Sequence, residues 1–410
     1  MKNWSTYIFL LVAGALSLLA TSCSQEDEGL ESVIASQGKA TIQFSIALGD
    51  SGASSRAATD ENDETDETWG GPYTPDGSNI GNEFENTIDL TKFHVSLTLA
   101  DNTLVPIKSI SPVAKQETDP KNIYDFVGEV EVKDVKSLTG AKIEVRANIG
   151  ETTTFSTSYT EDPDDSDKLY YPGKGVASIP MWGVHTVTAE ENLLLVAGPA
   201  SDPIRFTNPI YLLRSMAKVE VAINPELNEK FEIRNVQLNI CNVEGNLKPR
   251  KYSGDEVNTK QYNREECLNA VNLPSEDESN LEGFNRHTNV GFEKHVDKET
   301  GAISYTIYVP EYYNPNNSKA DDVKIFLDIY SKEEDEAKAI SYKLEKKGAI
   351  EMTDLHLVRN HWYIYYIRSI NKDIECDLFY QVIDWTEIDN GTLTFGDGSG
   401  ATHTFPSNKG

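Results

Sequence analysis

Cys23 is the residue whose surroundings most clearly predict a chemical reaction. It follows a short apolar segment, residues 7–20, and small residues lie between this segment and the cysteine. Lys2 stands before the segment and gives it a positive start. A positive start, a short apolar run and small residues before the cut are typical of a secretion signal, and the run is shorter than the roughly 20 residues of a membrane-spanning helix. We therefore predict that the signal peptide 1–22 is removed by the lipoprotein export machinery and that Cys23 becomes the lipid-modified first residue.

The segment after Cys23 is acidic, with the sequence Ser24-Gln-Glu-Asp-Glu28. It resembles the signal that sends lipoproteins of Bacteroidetes-type bacteria to the outer face of their outer membrane. We therefore expect an acidic tether over residues 23–37 and a location at the cell surface. The alternative is an ordinary secretion signal that happens to end near a cysteine.

Arg56 is a candidate for a second reaction, proteolysis. It lies in Ser51-Gly-Ala-Ser-Ser-Arg-Ala-Ala-Thr59, where small residues stand on both sides of it. Exposed chain with small and polar residues is a preferred site of proteolytic nicking. The alternative is a solvated loop arginine without a role.

The charge balance limits the possible partners. The 410 residues include 66 acidic and 37 basic side chains, a formal net charge of −29. Nucleic acids and anionic membranes are bound through basic surfaces, so we predict that the chain binds no nucleic acid. Three cysteines follow Cys23, namely Cys241, Cys267 and Cys376; they permit one disulfide, which their spacing does not identify.

No pattern of residues predicts a metal site or catalysis. The acidic clusters at 60–67 and 161–167 lack the spacing of a calcium-binding loop, and solvated acidic loops are the simpler interpretation. The seven histidines form no zinc-binding motif, and neither a nucleophile elbow nor a phosphate-binding loop is present. We therefore expect no cofactor, no metal and no enzymatic activity.

The elements that must position Cys23 and Arg56 are β-strands. Apolar and polar residues alternate through most readable segments, which is typical of strands with one buried face. In the first strand Ala40, Ile42, Phe44, Ile46 and Leu48 alternate with polar or small residues. Further strands are predicted at 93–99, 127–132, 142–149, 192–196, 219–223, 231–240, 303–309, 323–330, 339–344, 361–367, 377–385 and 391–395.

The order of these strands predicts two domains. Strands at this spacing with loop-rich connections suit β-sandwiches. We place the N-terminal sandwich at 38–213, with a first strand at 38–50 and a flexible, polar loop at 51–88, and the C-terminal sandwich at 214–410. The chain has room for two cores of this size.

Several segments together resemble the fimbrillin family, the pilus subunits, anchors and tip proteins of Bacteroidetes-type fimbriae. The resemblance covers the whole chain and depends on the order of its motifs: the signal ending at Cys23, the first strand with Ser54-Ser-Arg-Ala-Ala58, Ile179-Pro-Met-Trp-Gly183, Arg214-Ser-Met-Ala-Lys-Val-Glu-Val221, Arg359-Asn-His-Trp-Tyr-Ile-Tyr-Tyr366, and Val382-Ile-Asp-Trp385.

The resemblance implies an all-β fold of two tandem transthyretin-like β-sandwich domains that join other fimbrial subunits head-to-tail by strand exchange. It also implies that an Arg-specific surface protease cuts between Arg56 and Ala57. That cut would release the lipid together with the first strand and leave a groove of unpaired backbone groups.

A strand of a neighbouring subunit would fill this groove by main-chain hydrogen bonds and alternate side chains. The resemblance implies that the C-terminal region, 377–396, supplies the donor. The candidate pocket-filling side chains are Ile383, Trp385, Leu393 and Phe395. The alternative for this region is a plain strand of the C-terminal sandwich.

Other functions remain open at the sequence level. A fimbrial anchor would keep its lipid and first strand, and a tip protein would be cut but would donate no strand. A third alternative is a surface lipoprotein that binds glycans, for which the aromatic run 361–366 would be the stacking platform. Alternation along this run instead favours a strand covered on both faces.

Overall fold

The structure, a computed structural model, describes residues 38–48, 56–57, 83–114, 123–152, 154–156, 160–162, 165–170, 179–242, 244–248, 286–296, 301–312, 323–332, 337–343, 357–371, 376–384, 394–396 and 402–403. Strands make up most of these ranges, so the prediction of an all-β protein is confirmed. Four of the residues singled out above, Cys23, Cys267, Trp385 and Leu393, lie outside them.

The strands before residue 215 are β1 (Lys39–Leu48), β2 (Arg56–Ala57), β3 (Thr87–Asp89), β4 (His94–Thr98), β5 (Leu104–Pro112), β6 (Tyr124–Glu131), β7 (Lys136–Ser137), β8 (Lys142–Ala147), β9 (Thr154–Ser156), β10 (Thr160–Asp162), β11 (Asp165–Tyr170), β12 (Met181–Thr186), β13 (Leu194–Leu195), β14 (Ile204–Arg205) and β15 (Ile210–Arg214). Short 3-10 turns lie at Glu83–Asn86, Leu90–Lys92 and Ala189–Glu191.

The strands after residue 215 are β16 (Met216–Ile223), β17 (Phe231–Asn242), β18 (Glu244–Asn246), β19 (Arg286–Gly291), β20 (Glu293–Val296), β21 (Ile303–Pro310), β22 (Lys324–Ser331), β23 (Ala337–Lys343), β24 (His361–Ile370), β25 (Cys376–Asp384), β26 (Thr394–Gly396) and β27 (Thr402–His403). One 3-10 turn lies at Pro225–Glu229.

Strands of the N-terminal half close into a ring. Their order is β1, β15, β12, β8, β4, β5 and β6, and β6 pairs again with β1. The pairing of β1 with β15 is parallel and the others are antiparallel. The predicted arrangement of two open sheets is therefore not confirmed in this half, because β1 bridges β6 and β15 and closes the sheet.

Period-two alternation explains how these strands build a core. Along β1 the residues Ala40, Ile42, Phe44 and Ile46 are buried, and the residues between them are partly exposed. β8 shows the same alternation, and both strands contribute to one cluster of buried apolar side chains. Phe44 stacks on Phe126 of β6 with ring centroids 5.7 Å apart, so β1 is fixed to β6 by packing as well as by pairing.

Gly183 marks a close approach of two strands in this ring. A Cβ at this position would lie 2.3 Å from the carbonyl oxygen of Tyr211 on β15. Only glycine lets β12 and β15 approach this closely. The glycine of the motif that began at Ile179 therefore has a packing role.

The C-terminal half contains two further sheets. One has six strands in the order β2, β25, β24, β16, β21 and β20, and the other has four in the order β19, β17, β22 and β23. Side chains of β16, β17, β21, β22 and β24 form a second buried apolar cluster between these two sheets. Two sheets that share one apolar core agree with a sandwich in this half.

The aromatic strand β24 is covered on both faces. All residues from His361 to Ile367 are buried, Trp362 and Tyr363 being only 2% and 1% exposed. The expectation of a strand with both faces covered is confirmed. The rings are therefore not available as a platform on which a sugar could stack.

Several regions differ from the sequence-based expectation. β12, β15, β19 and β20 were not predicted, and the acidic segment 161–167, interpreted as a solvated loop, contributes to β10 and β11. β5 was not predicted, because its alternation is broken: Ser109 has a positive φ of 54° and the pairing with β6 shifts register between Lys108 and Ser111. Residues 83–88, the end of the predicted flexible loop, form a 3-10 turn and the start of β3, with Glu85 fully buried. The boundary at residue 214 stays a prediction.

Candidate functional site

β1 lies between neighbours that are distant in sequence. On one side it pairs antiparallel with β6 over eight consecutive residues, from Lys39 opposite Glu131 to Ile46 opposite Tyr124. On the other side it pairs in parallel with β14 and then with β15. β1 therefore fills a slot whose two walls are β6 and the pair β14 and β15.

The inward side chains of β1 pack on the apolar floor of this slot, which includes Phe126 of β6 and Leu212 of β15. Ile42, Phe44 and Ile46 have no exposed surface, and Ala40 and Leu48 are 3% and 6% exposed. At the open face Lys39 forms an ion pair of 3.3 Å with Glu129, and both side chains are largely exposed. The slot therefore recognises its strand by apolar shape and backbone pairing, because exposed ion pairs contribute little.

The covalent connection of β1 to the later strands begins at residue 49. From there the chain leads through β2 to the turn at Glu83–Asn86. A single cut between residues 49 and 82 would therefore leave β1 bound by pairing and packing alone. Because β1 lies at the start of the described chain, such a cut would not interrupt any other strand of the ring.

The structure places the predicted cut inside a short strand. Arg56 and Ala57 form β2, which pairs antiparallel with Val382 and Gln381 of β25. β2 is the outermost described strand of its sheet, so its backbone is extended and one side is open. Extended backbone at a sheet edge is accessible to edge-on pairing with another chain.

The candidate donor residues divide into three groups. Ile383 lies on β25, opposite Trp362, in a strand that pairs with β24 from end to end. Phe395 lies on β26, which pairs in parallel with β3 and stands opposite Ile88. Trp385 and Leu393 lie outside the described residues.

A buried polar cluster fixes the turn before β3 to the C-terminal half. Nζ of Lys218 donates to Oε1 of Glu85 at 2.8 Å, and the hydroxyl of Tyr308 donates to the same oxygen. Nε of Arg214 donates to the backbone carbonyl of Glu85 at 3.1 Å. The ammonium of Lys218 also lies 3.5 Å from the ring centroid of Trp362, a cation–π contact. We call Glu85, Lys218, Tyr308 and Arg214 the Glu85 cluster.

The Glu85 cluster keeps its carboxyl group ionised. Burial raises the pKa of Glu85, but Lys218, the hydroxyl of Tyr308 and the more distant charge of Arg214 together lower it by more, so the pKa lies below its ordinary value of 4.5. A buried carboxylate with these partners is stable only while all of them stay in place. The cluster is therefore a structural lock between the turn 83–86 and the C-terminal half.

A second buried cluster centres on Arg359. Its Nη2 donates to Oε2 of Glu311 at 2.5 Å and to the carbonyl of Asn246 at 3.0 Å, and its Nη1 donates to the carbonyl of Leu247 at 2.6 Å. Both Arg359 and Glu311 are 1% exposed or less. This cluster holds the segment after β18 against the start of β24.

The motifs that carry the family resemblance meet in space. Ser215 donates its N–H to the carbonyl of Pro180 at 2.8 Å, and Asn360 donates its N–H to the carbonyl of Met216 at 2.8 Å. Asn360 has a positive φ of 57°, which asparagine tolerates better than most residues. The segments around 180, 215 and 360 thus form one junction at the start of β16.

Sequence reasoning missed the partners in both clusters. Glu85 stands in a polar stretch and Glu311 follows a strand, and neither has a distinctive neighbour in sequence. The available signal was on β16, where Lys218 and Glu220 interrupt a run that is otherwise apolar or small. A charged residue inside a strand covered on both faces needs a buried partner.

Among the described residues no group of three histidine, cysteine, aspartate or glutamate side chains could hold a metal ion. In the same part of the chain no helix has the length and apolar character to cross a membrane. Cys241 is buried and Cys376 is partly exposed.

Comparison with known proteins gives neighbours only at the level of structure. No family model matches the chain, and no curated protein matches it either. The tip fimbrial protein Mfa3 from Porphyromonas gingivalis, with C-terminal truncation, is similar at 14% identity and a TM-score of 0.44, covering 85% of this chain and 100% of that one.

A fimbrial assembly protein from Parabacteroides distasonis is similar at 12% identity and a TM-score of 0.34, over 83% of this chain and 99% of that one. These neighbours bear names from the same family that the sequence resembles. At TM-scores below 0.5 the likeness itself supports no statement about fold or mechanism.

Proposed function

We propose that this chain is a structural subunit of a cell-surface fimbria, exported as a lipoprotein precursor and polymerised by strand exchange, and that it has no enzymatic activity. The observation that carries the proposal is the position of β1: an interior strand with a buried face, held on both sides by strands distant in sequence. The proposal includes two tandem transthyretin-like sandwich domains, 38–213 and 214–410.

Loss of β1 would leave a slot that another strand must fill. Its four large apolar residues, Ile42, Phe44, Ile46 and Leu48, contribute about 1.5–3 kcal/mol each when buried, on the order of 10 kcal/mol together before ordering costs. The backbone groups of β6 that face β1 would also lose their partners. An empty slot is therefore unstable and would bind a strand of alternating apolar residues.

The proposed trigger is a cut between Arg56 and Ala57 by an Arg-specific surface protease. This bond lies between β1 and the rest of the ring, so cutting it converts β1 from a covalent part of the chain into a bound peptide. The peptide would keep Cys23 and its lipid, so the rest of the chain would lose its lipid attachment to the outer membrane. In this mechanism the lipid serves export, and strand pairing serves the assembled fibre.

The proposed donor is the C-terminal region, 377–396, of a second subunit. Because β25 pairs with β24 from Cys376 to Asp384, we place the donating part after Asp384, where Trp385, Leu393 and Phe395 supply apolar side chains. A slot at one end and a donor at the other make the contact head-to-tail, and such contacts build filaments.

Limited trypsin digestion of the full chain after signal removal tests this function. We expect a new N-terminus at Ala57, release of the 23–56 peptide and a ladder of polymers on gels run without boiling. The variant Arg56→Gln should give neither the cut nor the ladder. A cut chain that keeps the peptide bound and stays monomeric would contradict strand exchange.

A further inference from the structure

The connector between β1 and β4 contacts the C-terminal segment at two places. Its first strand, β2, pairs with Gln381 and Val382 of β25, and its second strand, β3, pairs with β26 along Thr394–Gly396. The first contact extends the six-stranded sheet, and the second is made at β3, whose Ile88 belongs to the apolar cluster of the N-terminal half. The same two segments pair at two separate places. A chance contact of one strand therefore does not explain the arrangement.

The two pairings differ in how firmly the connector is held. β3 is anchored: the side-chain amide of Asn148 donates to the carbonyl of Thr87 at 2.8 Å, and its oxygen accepts from the N–H of Asp89 at 2.7 Å. The Glu85 cluster fixes the turn directly before β3. β2 has two residues, and among the strands that the structure describes it pairs only with β25, so its attachment depends on the continuous connector.

The predicted cut falls inside the weaker pairing. In an antiparallel ladder consecutive residues alternate between hydrogen-bonded and non-hydrogen-bonded pairs, so only one of Arg56 and Ala57 makes the bonds to β25. A cut between them splits β2 into two chain ends, and each end has only one residue paired with β25. Neither half retains a second residue to hold its register on β25.

We propose that β2 is a clasp, which covers the outer edge of β25 in the uncut chain, and that the cut opens this edge to an antiparallel strand of a second copy of this chain. The occupant is argued from β2 itself, which shows that the edge accepts an antiparallel strand, and from the nine residues of β25, of which β2 covers two. This inference rests on the proposed function, because it assigns the edge to the same assembly.

The clasp would couple two events through one bond. The cut that frees β1 from the ring also uncovers β25, directly before the proposed donor residues. In the uncut chain the slot is filled and β2 occupies the edge of β25 at Gln381 and Val382, so a strand of another subunit could not pair along the full length of that edge. Polymerisation inside the cell would thereby be blocked at both surfaces.

Hydrogen exchange on the full uncut chain tests the clasp without any cut. The double variant Arg56→Pro/Ala57→Pro removes both backbone N–H groups of β2 and also the arginine that trypsin needs. Within residues 376–384, we expect the amide of Gln381 or Val382 that is bonded to β2 to exchange at least tenfold faster. The matched control is Ala53→Pro/Ser54→Pro, with two prolines outside β2, and should leave this amide unchanged.

The result separates the clasp from the proposed function. Equal exchange at 376–384 in the double variant and the unaltered chain would overturn the clasp, even if trypsin-cut chains still form a ladder. Faster exchange at 376–384, with exchange in β1 unchanged, supports it. Absence of the ladder would then count against strand exchange alone, since the exchange measurement does not require assembly.

Discussion

At the residue scale, Glu85 illustrates how a side chain in an inconspicuous sequence can decide the position of a segment. It is fully buried, and its carboxylate receives hydrogen bonds from Lys218 and Tyr308 of two neighbouring strands. Its surroundings in sequence are those of a polar loop, and only the three-dimensional structure shows the charged partners. The anchoring of β3 therefore depends on a contact between residues more than 130 positions apart.

The first prediction concerns the charge of Glu85. The variant Glu85→Gln keeps the size of the side chain but removes the carboxylate that faces the buried ammonium of Lys218. Removal of one partner from a buried pair costs about 3–5 kcal/mol, and we expect a loss of stability near this range at pH 7. Urea unfolding measures it. A loss below about 1 kcal/mol would show that the pair does not hold the turn.

The sign of the pH dependence follows from the direction of the pKa shift. The pKa of Glu85 is lower in the folded chain than its ordinary value of 4.5. Its contribution to stability is therefore fully present above pH 4.5 and is lost as the pH falls through the folded pKa. The stability of Glu85→Gln should fall less steeply below pH 4.5 than that of the unaltered chain.

The second prediction concerns Gly183. In Gly183→Ala the added Cβ would lie 2.3 Å from a backbone oxygen on β15, which cannot move without shifting that strand. Overpacking of this kind costs about 1–3 kcal/mol. Gly198→Ala is the matched control, because a Cβ there has no atom within 4 Å. Thermal unfolding should show a lower midpoint for the first variant only.

At the element scale, the alternation of the sequence predicts the strands well and their partners poorly. β8 and β24 lie within two residues of the predicted starts, because their side chains alternate or are continuously apolar. Ring closure through β1 and β6 was not predicted. Period-two alternation indicates which face of a strand is buried, but it does not indicate which strand pairs with it. The bulged strand β5 was not predicted because of a local irregularity, the positive φ of Ser109.

In the candidate site, too, the strand was predictable from the sequence and its partners were not. The first strand and its inward residues were predicted from sequence, and the structure gives them the expected buried face. The pairing of Arg56 with Val382 was not predictable, because no physical signal in a small, polar segment indicates a contact with a strand more than 300 residues away. The cut at Arg56 and the donor role of the C-terminal region stay predictions.

The third prediction tests β1 as an exchangeable element. A synthetic peptide of residues 38–48 should bind the trypsin-cut chain after the 23–56 peptide has been removed, and should block polymerisation. In the peptide variant Phe44→Ala a fully buried ring is lost, which costs about 3–5 kcal/mol, so binding should weaken by at least about 100-fold. Gln43→Ala, on the partly exposed face, is the control and should bind within a few-fold of the original.

Fluorescence anisotropy of a labelled peptide gives these affinities directly. Equal binding of the Phe44→Ala and Gln43→Ala peptides would mean that the apolar floor of the slot does not select its strand. Absence of binding by the original peptide would mean that the slot collapses once β1 leaves.

At the scale of the whole molecule, the two halves each have a core, and buried polar contacts join them. The first apolar cluster is built from residues 40–212 and the second from residues 217–367. Between them lie the Glu85 cluster and the junction of Ser215 with Pro180. In the proposed fibre, tension would act on these polar contacts and on the apolar contact of Trp182 and Val184 with Leu247. Loss of one partner in a buried polar contact leaves a buried charge and is strongly destabilising.

The fourth prediction concerns the direction of assembly. If residues after Asp384 donate the strand, deletion of 385–410 should leave a chain that can be cut and can accept a donor but cannot donate one. β25 keeps its full pairing with β24 in this deletion, so we expect the chain to fold. Cut alone, it should form no ladder; mixed with an excess of the cut, unaltered chain, it should end growing polymers and shorten the ladder.

Deletion of 404–410 is the matched control, since it keeps Phe395 and its partner strand β27. It should polymerise like the unaltered chain, and gels run without boiling compare the three samples. A ladder of normal length from the 385–410 deletion would place the donor elsewhere in the chain. Shortening without a ladder of its own fits only a head-to-tail contact, because a chain that accepts but does not donate can occupy only one end of a filament.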